Sequence, residues 1–338
     1  MANRYEKVEP LAQEASGLVF ACILDGKGGG QQVGWQQIRD WSPADGPLWV
    51  HLDRSAPEAT RWLSQDAGLP DIAVPALAAG ETRPRTFLAG EGVVTVLRGV
   101  NLNPDADPDD MVAIRIWADS DRVITVRQRR LMTPRDILAD LTERHNGPKT
   151  APELFLRLAE RLMERMNGVI VRLDEQLDEI ETRLATENHV PLRRELVDMR
   201  QSIVILRRYL GPQREALASL QLDSPAWLDA SHRVALREIS DRVLRYLEDL
   251  EAARERAVVV KDEITNQLAE TMNRTMYALS VIAGVFLPLG FITGLLGINV
   301  GGMPGVESAY AFWITCGILG LLVIIEIYLF KKLKWIGK

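Results

Sequence analysis

Hydrophobic positions are distributed along this chain in three different ways, and each predicts a different kind of element. Between Gly17 and Arg129 they come in short runs. Leu18–Leu24, Leu48–Leu52, Val93–Gly99, Val112–Ala118 and Arg122–Arg127 are rich in Val, Ile and Trp and bounded by Gly, Pro, Asp or Asn, the pattern of strands. Pro57–Gly68 reads as a helix started by Ser55 and closed by a glycine. Asn101–Asp110 (NLNPDADPDD) clusters Asp residues but lacks the Gly and the terminal Glu of an EF-hand, so it reads as a solvated loop between two strands. This part predicts a mixed α/β domain.

From Pro152 the period changes to three and four. Leu, Ile, Val and Met recur between Arg and Glu, which predicts long helices over Pro152–Glu187 and Pro191–Leu222. A third helix begins near Ala226, and no Gly or Pro interrupts it before Gly284. Its apolar stripe is Ile239, Val243, Tyr246, Leu250, Ala253, Ala257, Val260, Ile264 and Leu268. A helix of about 70 residues is on the order of 100 Å long, too long for one small domain, and predicts a stalk. A lone helix has nothing to bury that stripe against, which favours several copies. The opposite face carries Glu248, Glu255, Asp262, Asn266, Glu270 and Asn273. Around an axis, Glu255, Asp262 and Glu270 would form a cation-attracting funnel; on a single helix they are a solvated face.

The third pattern is continuous. No charged residue occurs between Thr275 and Val306, and Met276–Leu296 and Ser308–Phe330 are each long enough to cross a hydrocarbon core of roughly 30 Å. Arg274 precedes the first span and Lys331, Lys332 and Lys334 follow the second, while the connection has no Lys or Arg. Both termini are therefore expected on the cytoplasmic side. Asn273, Met276, Leu279 (or Ser280), Ala283, Leu287, Gly290 (or Phe291) and Gly294 fall along one stripe of the first span, a pattern that fits a helix–helix interface or a pore lining equally. Pro288 is tolerable inside a membrane helix. Glu326 reads as a side chain that snorkels or pairs with Lys331 or an inner-leaflet group, in preference to a proton relay. The Gly- and Pro-rich connection, Gly297 to Gly305, is an ordered turn.

Composition sharpens this picture at three points. The net charge of −6 over 338 residues does not favour nucleic acid as a partner. The N-terminus, MANRYEKVEPLAQE, has no apolar signal region, so the large N-terminal part is expected in the cytoplasm. Cys22 and Cys316 are far apart and predict no disulfide, and His51, His145, His189 and His232 have no metal-ligand spacing. A fixed Cys/His metal site is therefore not expected, nor is any cofactor. No nucleophile–base pair, phosphate loop or ligand cluster points to an enzyme.

The segment Phe286-Leu-Pro-Leu-Gly-Phe-Ile-Thr-Gly-Leu-Leu-Gly-Ile-Asn299 resembles the end of the first span in the CorA metal-ion transporter superfamily, where a Gly-Met-Asn tripeptide closes the pore entrance. Here Ile298 replaces the Met. Gly-Ile-Asn followed by Val-Gly-Gly-Met-Pro-Gly is similar to the ZntB zinc-transporter branch, as are Glu81-Thr-Arg-Pro-Arg85 and Leu97–Pro104. The resemblance implies a funnel-shaped homopentamer in the inner membrane. Each chain would contribute an α+β cytoplasmic domain over 1–150, a long-helix stalk over 151–272 and a membrane domain over 273–338, with spans at about 275–296 and 309–330. It implies transport of zinc, inward and coupled to protons. By position it marks Gly297, Ile298 and Asn299 as the entrance, and Asn273, Met276, Leu279, Leu287 and Gly294 as pore lining. Glu307, with Glu255, Asp262 and Glu270, would gather cations. Two other readings stay open: a magnesium or broad divalent-cation channel of the same fold, and a membrane-tethered scaffold or sensor.

Overall fold

The computed structural model describes residues 17–80, 83–184, 186, 189–298, 305 and 307–332. Seven strands form one sheet: β1 (Leu18–Leu24), β2 (Gly30–Val33), β3 (Leu48–Asp53), β4 (Arg85–Ala89), β5 (Gly92–Gly99), β6 (Val112–Ala118) and β7 (Arg122–Arg127). Their order is β2-β1-β3-β7-β6-β5-β4, with β3 and β7 parallel and all other neighbours antiparallel. Among the described residues eight α-helices accompany them: α1 (Trp35–Asp40), α2 (Pro57–Gln65), α3 (Ala73–Ala78), α4 (Met132–Thr142), α5 (Ala151–Arg183), α6 (His189–Leu222), α7 (Ala230–Leu296) and α8 (Ala311–Lys332). Contacts divide the chain into a first unit up to Val260 and a second from Lys261.

The five strands expected from β-branched runs are present, and all eight residues of β5 are buried. A strand covered on both faces needs no polar alternation. Leu52, Val50, Leu63, Leu77 and Trp117 belong to the core under α1–α3, while α5 touches β5, β6 and β7 on the sheet. The edge strands β2 and β4, with polar or half-buried residues, are additions to the sequence reading. So are α1, α3 and α4. The helix from Pro57 differs in its ends. Its N-cap is Ala56, with Pro57 at the first position, and Ser55 instead donates its backbone N–H to Asp53 Oδ1 at 2.9 Å. It stops at Gln65, and Gly68, at φ +60°, lies in the turn beyond.

Buried polar groups tie the layers together. Pairing of β4 with β5 ends at Arg85 opposite Val96. Beyond it, Gln213 of α6 takes the place of a strand: its Oε1 accepts from the Arg98 N–H at 2.6 Å and its Nε2 donates to the Arg98 carbonyl at 3.2 Å. Next to it, a Cβ on Gly99 would stand 2.6 Å from Leu162 Cδ2, so a side chain here would displace Leu162 of α5 from its present position. Arg54 and Arg115 donate to the carbonyls of Ala78 and Gly80 at the end of α3. Burial first, and then the charges of Arg54 and Arg98, push the Arg115 guanidinium down to about 10.

The long helices are joined by packing and by ion pairs. Thr150 caps α5 by accepting from the Glu153 N–H at 3.2 Å. The stripe Leu236, Ile239, Val243, Tyr246, Leu250, Ala253, Ala257 and Val260 of α7 is buried. At its edges Arg256 pairs with Asp174, Asp178 and Glu181 of α5, and Glu251 pairs with Arg207 of α6. The Asn101–Asp110 segment is a loop between β5 and β6, held by the Asp110–Arg129 pair.

His51 is a core histidine. Its Nδ1 meets Thr125 Oγ1 at 2.8 Å, and Trp49 Nε1 donates to the same oxygen at 2.9 Å. Burial, then the charges of Arg127 and Arg135, hold its imidazole well below the ordinary 6.5, with the Thr125 bond opposing.

Two stability predictions follow from these groups, both read by thermal denaturation of the purified full chain. Gln213→Ala strands the buried Arg98 N–H and C=O and is expected to destabilise by on the order of 1–3 kcal/mol per group. An unchanged melting temperature would refute the strand-replacement role. His51 stays neutral when folded but takes up a proton when unfolded below its ordinary 6.5, so its contribution is present above that pH and lost as pH falls. His51→Gln is expected to flatten this acidic decline.

Candidate ion pathway

The two portions of α7 offer different surfaces. In the first unit, Glu255 falls between the buried Ala253 and Ala257, so it projects from the opposite side, exposed. Glu248 is likewise exposed. In the second unit Asp262, Glu270 and Asn273 are exposed, with Lys261 Nζ 3.4 Å from Asp262. The sequence-assigned pore residues Met276, Leu279, Leu287 and Gly294 are all exposed too, Leu287 at 73 %.

The face of α7 that meets α8 is a different one. Val281, Gly284, Val285, Pro288, Leu289 and Ile292 are the half-buried positions, spaced three and four apart. On α8 the matching stripe is Ala311, Thr315, Leu319, Leu322, Val323, Glu326 and Phe330. The tip of the Phe330 ring reaches Gly284, where an added Cβ would lie 2.9 Å from Phe330 Cζ. Small residues allow such approach where lipid supplies no hydrophobic drive. Packing within one chain thus uses the seam and leaves the Met276–Leu287–Gly294 face uncovered. Glu326 overturns the expectation of a snorkelling side chain: it is buried on the seam, and no ion pair with Lys331 occurs among the described residues.

The Ser280 and Thr293 hydroxyls in the apolar part of α7 are committed to its own backbone. Ser280 donates to the Met276 carbonyl at 2.8 Å and Thr293 to the Leu289 carbonyl at 2.9 Å. The helix closes with the Gly297 N–H shared between the carbonyls of Thr293 and Gly294, at 3.0 and 3.2 Å. Ile298 follows, half-exposed, and Glu307 lies exposed before α8. Asn299 lies outside the described residues. Among the described residues no group of three or more His, Cys, Asp or Glu is placed to hold a metal. Cys22 is buried and its thiol is pushed up to about 12, chiefly by burial and secondly by Asp25, which leaves it unreactive. Glu255, Asp262, Glu270 and Asn273 offer oxygen donors suited to a hydrated cation, interspersed with the exposed basic side chains of Arg254, Lys261 and Arg274.

The model of the CorA-like Mg2+ transporter protein family matches residues 44–332. The divalent cation transporter CmaX of Pseudomonas aeruginosa is 42 % identical over 324 residues, 95 % of this chain and 97 % of that protein. The full-length CmaX structure superposes with a TM-score of 0.83 at 41 % identity, covering 95 % of this chain and 98 % of the other. The zinc transport protein ZntB of Pectobacterium atrosepticum is 38 % identical over 321 residues, again 95 % of this chain and 97 % of that protein. The CorA magnesium transporter of Methanocaldococcus jannaschii shares the fold, with a TM-score of 0.79 at 16 % identity over 94 % of this chain and 98 % of that one.

The close approach at Gly284 is directly testable. Gly284→Leu is expected to lower the melting temperature of the detergent-solubilised protein by several degrees, and Phe330→Ala in the same chain to recover part of that loss. Strictly additive losses would count against the seam.

Proposed function

The chain belongs to the CorA-like Mg2+ transporter protein family, a family of divalent-cation transporters, and from that premise we propose that its cargo is zinc. The observation that carries the reading is the uncovered face of α7: Asn273, Met276, Leu287 and Gly294 remain exposed once α8 has taken its own side of the helix. Five copies arranged with that face inward would enclose a pore, and such a homopentamer would bury the apolar surface of Met276 and Leu287. Leu279 and Leu287 would make apolar constrictions that close by dewetting. Asn299, with Gly297 and Ile298, would stand at the entrance, its amides hydrogen-bonding the water shell of an arriving cation. Glu307 outside, and Glu255, Asp262 and Glu270 inside, would raise the local cation concentration.

Zinc is favoured by the Gly-Ile-Asn-Val-Gly-Gly run and by the likeness to ZntB proteins. With no Cys or His along the face, the ion would pass hydrated, weakly enough held to be released. Arg274 and the lysines after Phe330 support an inner-membrane location with both termini in the cytoplasm. Uptake coupled to protons completes the reading. A broad divalent-cation channel is the second reading, favoured by the higher identity to CmaX, whose name specifies no metal. Membership in a transporter family weighs against a tethered scaffold and accords with a protein that is not an enzyme.

Flux measurements on the full chain in proteoliposomes test each part. Zinc flux is expected to exceed magnesium flux and to rise with an inward proton gradient. Equal fluxes would move the assignment to the broad channel, and indifference to the gradient would remove the coupling. Asn299→Ala is expected to lose at least an order of magnitude of flux with the oligomer intact on size-exclusion chromatography.

A further inference from the structure

One end of the sheet gathers positive charge around a hollow. Arg98 of β5 pairs with Ala113 of β6, and Arg115 follows two residues along β6, so the three share one face of the sheet. Ala113 presents only a methyl group beside the two arginines. A cavity of about 370 Å³ opens there, lined also by Asp110, Gln128 and Arg129.

Arg115 is the residue that needs a partner. It is 2 % exposed, and its Nη2 donates to the Gly80 carbonyl, while its Nε and Nη1 are buried with no hydrogen-bond partner. A guanidinium remains charged at neutral pH even when burial and the charges of Arg54 and Arg98 weigh against it. Donors of a buried cation left without an acceptor cost stability. The groups around it are engaged elsewhere. Arg98 donates from Nη1 to the Met111 carbonyl at 2.9 Å and lies 4.1 Å over the Tyr209 ring of α6. Asp110 is the one carboxylate among the described lining residues, and it pairs with Arg129. Three guanidiniums against one carboxylate leave a net charge of +2 on the wall of the cavity.

We propose that this hollow binds a phosphate group, whose oxygens accept from Arg115 and lie within the field of Arg98 and Arg129. A phosphate carries about −1.5 to −2 at neutral pH and balances the wall, whereas a single carboxylate would leave one positive charge unmatched. Guanidinium donors suit its oxygens in geometry as well as in charge. The volume lies within the range of small-molecule sites, which leaves room for an organic group attached to the phosphate. The site lies within the first unit and is independent of which cation the chain carries.

The test is calorimetric titration and thermal denaturation of the purified full chain in detergent, with divalent cations absent and ionic strength held constant. Inorganic phosphate is expected to bind and to raise the melting temperature, and chloride and acetate to do neither. Glycerol phosphate binding more tightly than inorganic phosphate would identify a phosphorylated small molecule as the occupant; the reverse order would identify free phosphate. Arg115→Met is expected to weaken phosphate binding by about tenfold or more and to abolish the rise in melting temperature. Should that variant not fold, Ala113→Leu fills the hollow without removing a charge and is expected to lose binding to the same extent. A response to phosphate no greater than that to chloride, or wild-type affinity in either variant, would overturn the proposal.

Discussion

Burial of the α7 stripe is the interaction that fixes how the longest helix of the first unit is turned. Residues Leu236 to Val260 of that stripe are buried at every third or fourth position, and Arg256 and Glu251 fasten its two margins to α5 and α6. Each buried Leu, Ile or Val contributes on the order of 1.5–3 kcal/mol, whereas exposed ion pairs contribute at most about 1 kcal/mol each. The ion pairs therefore set the rotation of the helix, and the apolar stripe holds it. Because side-chain directions on a helix are fixed, burying that stripe leaves Glu248 and Glu255 on the far side, facing water.

The membrane unit follows a different rule. Lipid tails are as apolar as Leu or Ile, so two spans gain little from hydrophobic burial and associate through close contact and polar groups. The seam has both. Gly284 admits the Phe330 ring, and Glu326 lies buried one turn from Phe330 on the same stripe of α8. The same constraint accounts for the hydroxyls of Ser280 and Thr293, which return to their own helix rather than face hydrocarbon unpaired.

The sheet was legible wherever strands lie inside it. β1, β3, β5, β6 and β7 are runs of β-branched and aromatic residues because both their faces are covered, and composition alone reveals such runs. β2 (GQQV) and β4 (RTFLA) are edge strands, whose polar residues are ordinary for an edge and give no signal. Gln213 is a sharper case. In sequence it is one polar residue on a long polar helix; only its position beside the end of β4 makes it the partner of the Arg98 backbone. Ser55 misled for the converse reason, since its side-chain chemistry suits a cap but Pro57 puts the helix start one residue later.

The sequence by itself determined the three regimes of this protein, since hydrophobic period is set by the geometry of strand, helix and bilayer and is written into residue order. It determined the length of α7, its buried stripe and the opposite row of carboxylates. The tertiary structure decided which side of each membrane span meets the other. Both spans are apolar all round, so no period distinguishes a lipid-facing side from a packing one, and only the contact of Gly284 with Phe330 does so. That contact turned Glu326 from an expected snorkelling residue into a buried one. A charge in sequence has no fixed meaning in a membrane until the neighbouring helix is known, because the cost of the charge depends on what surrounds it.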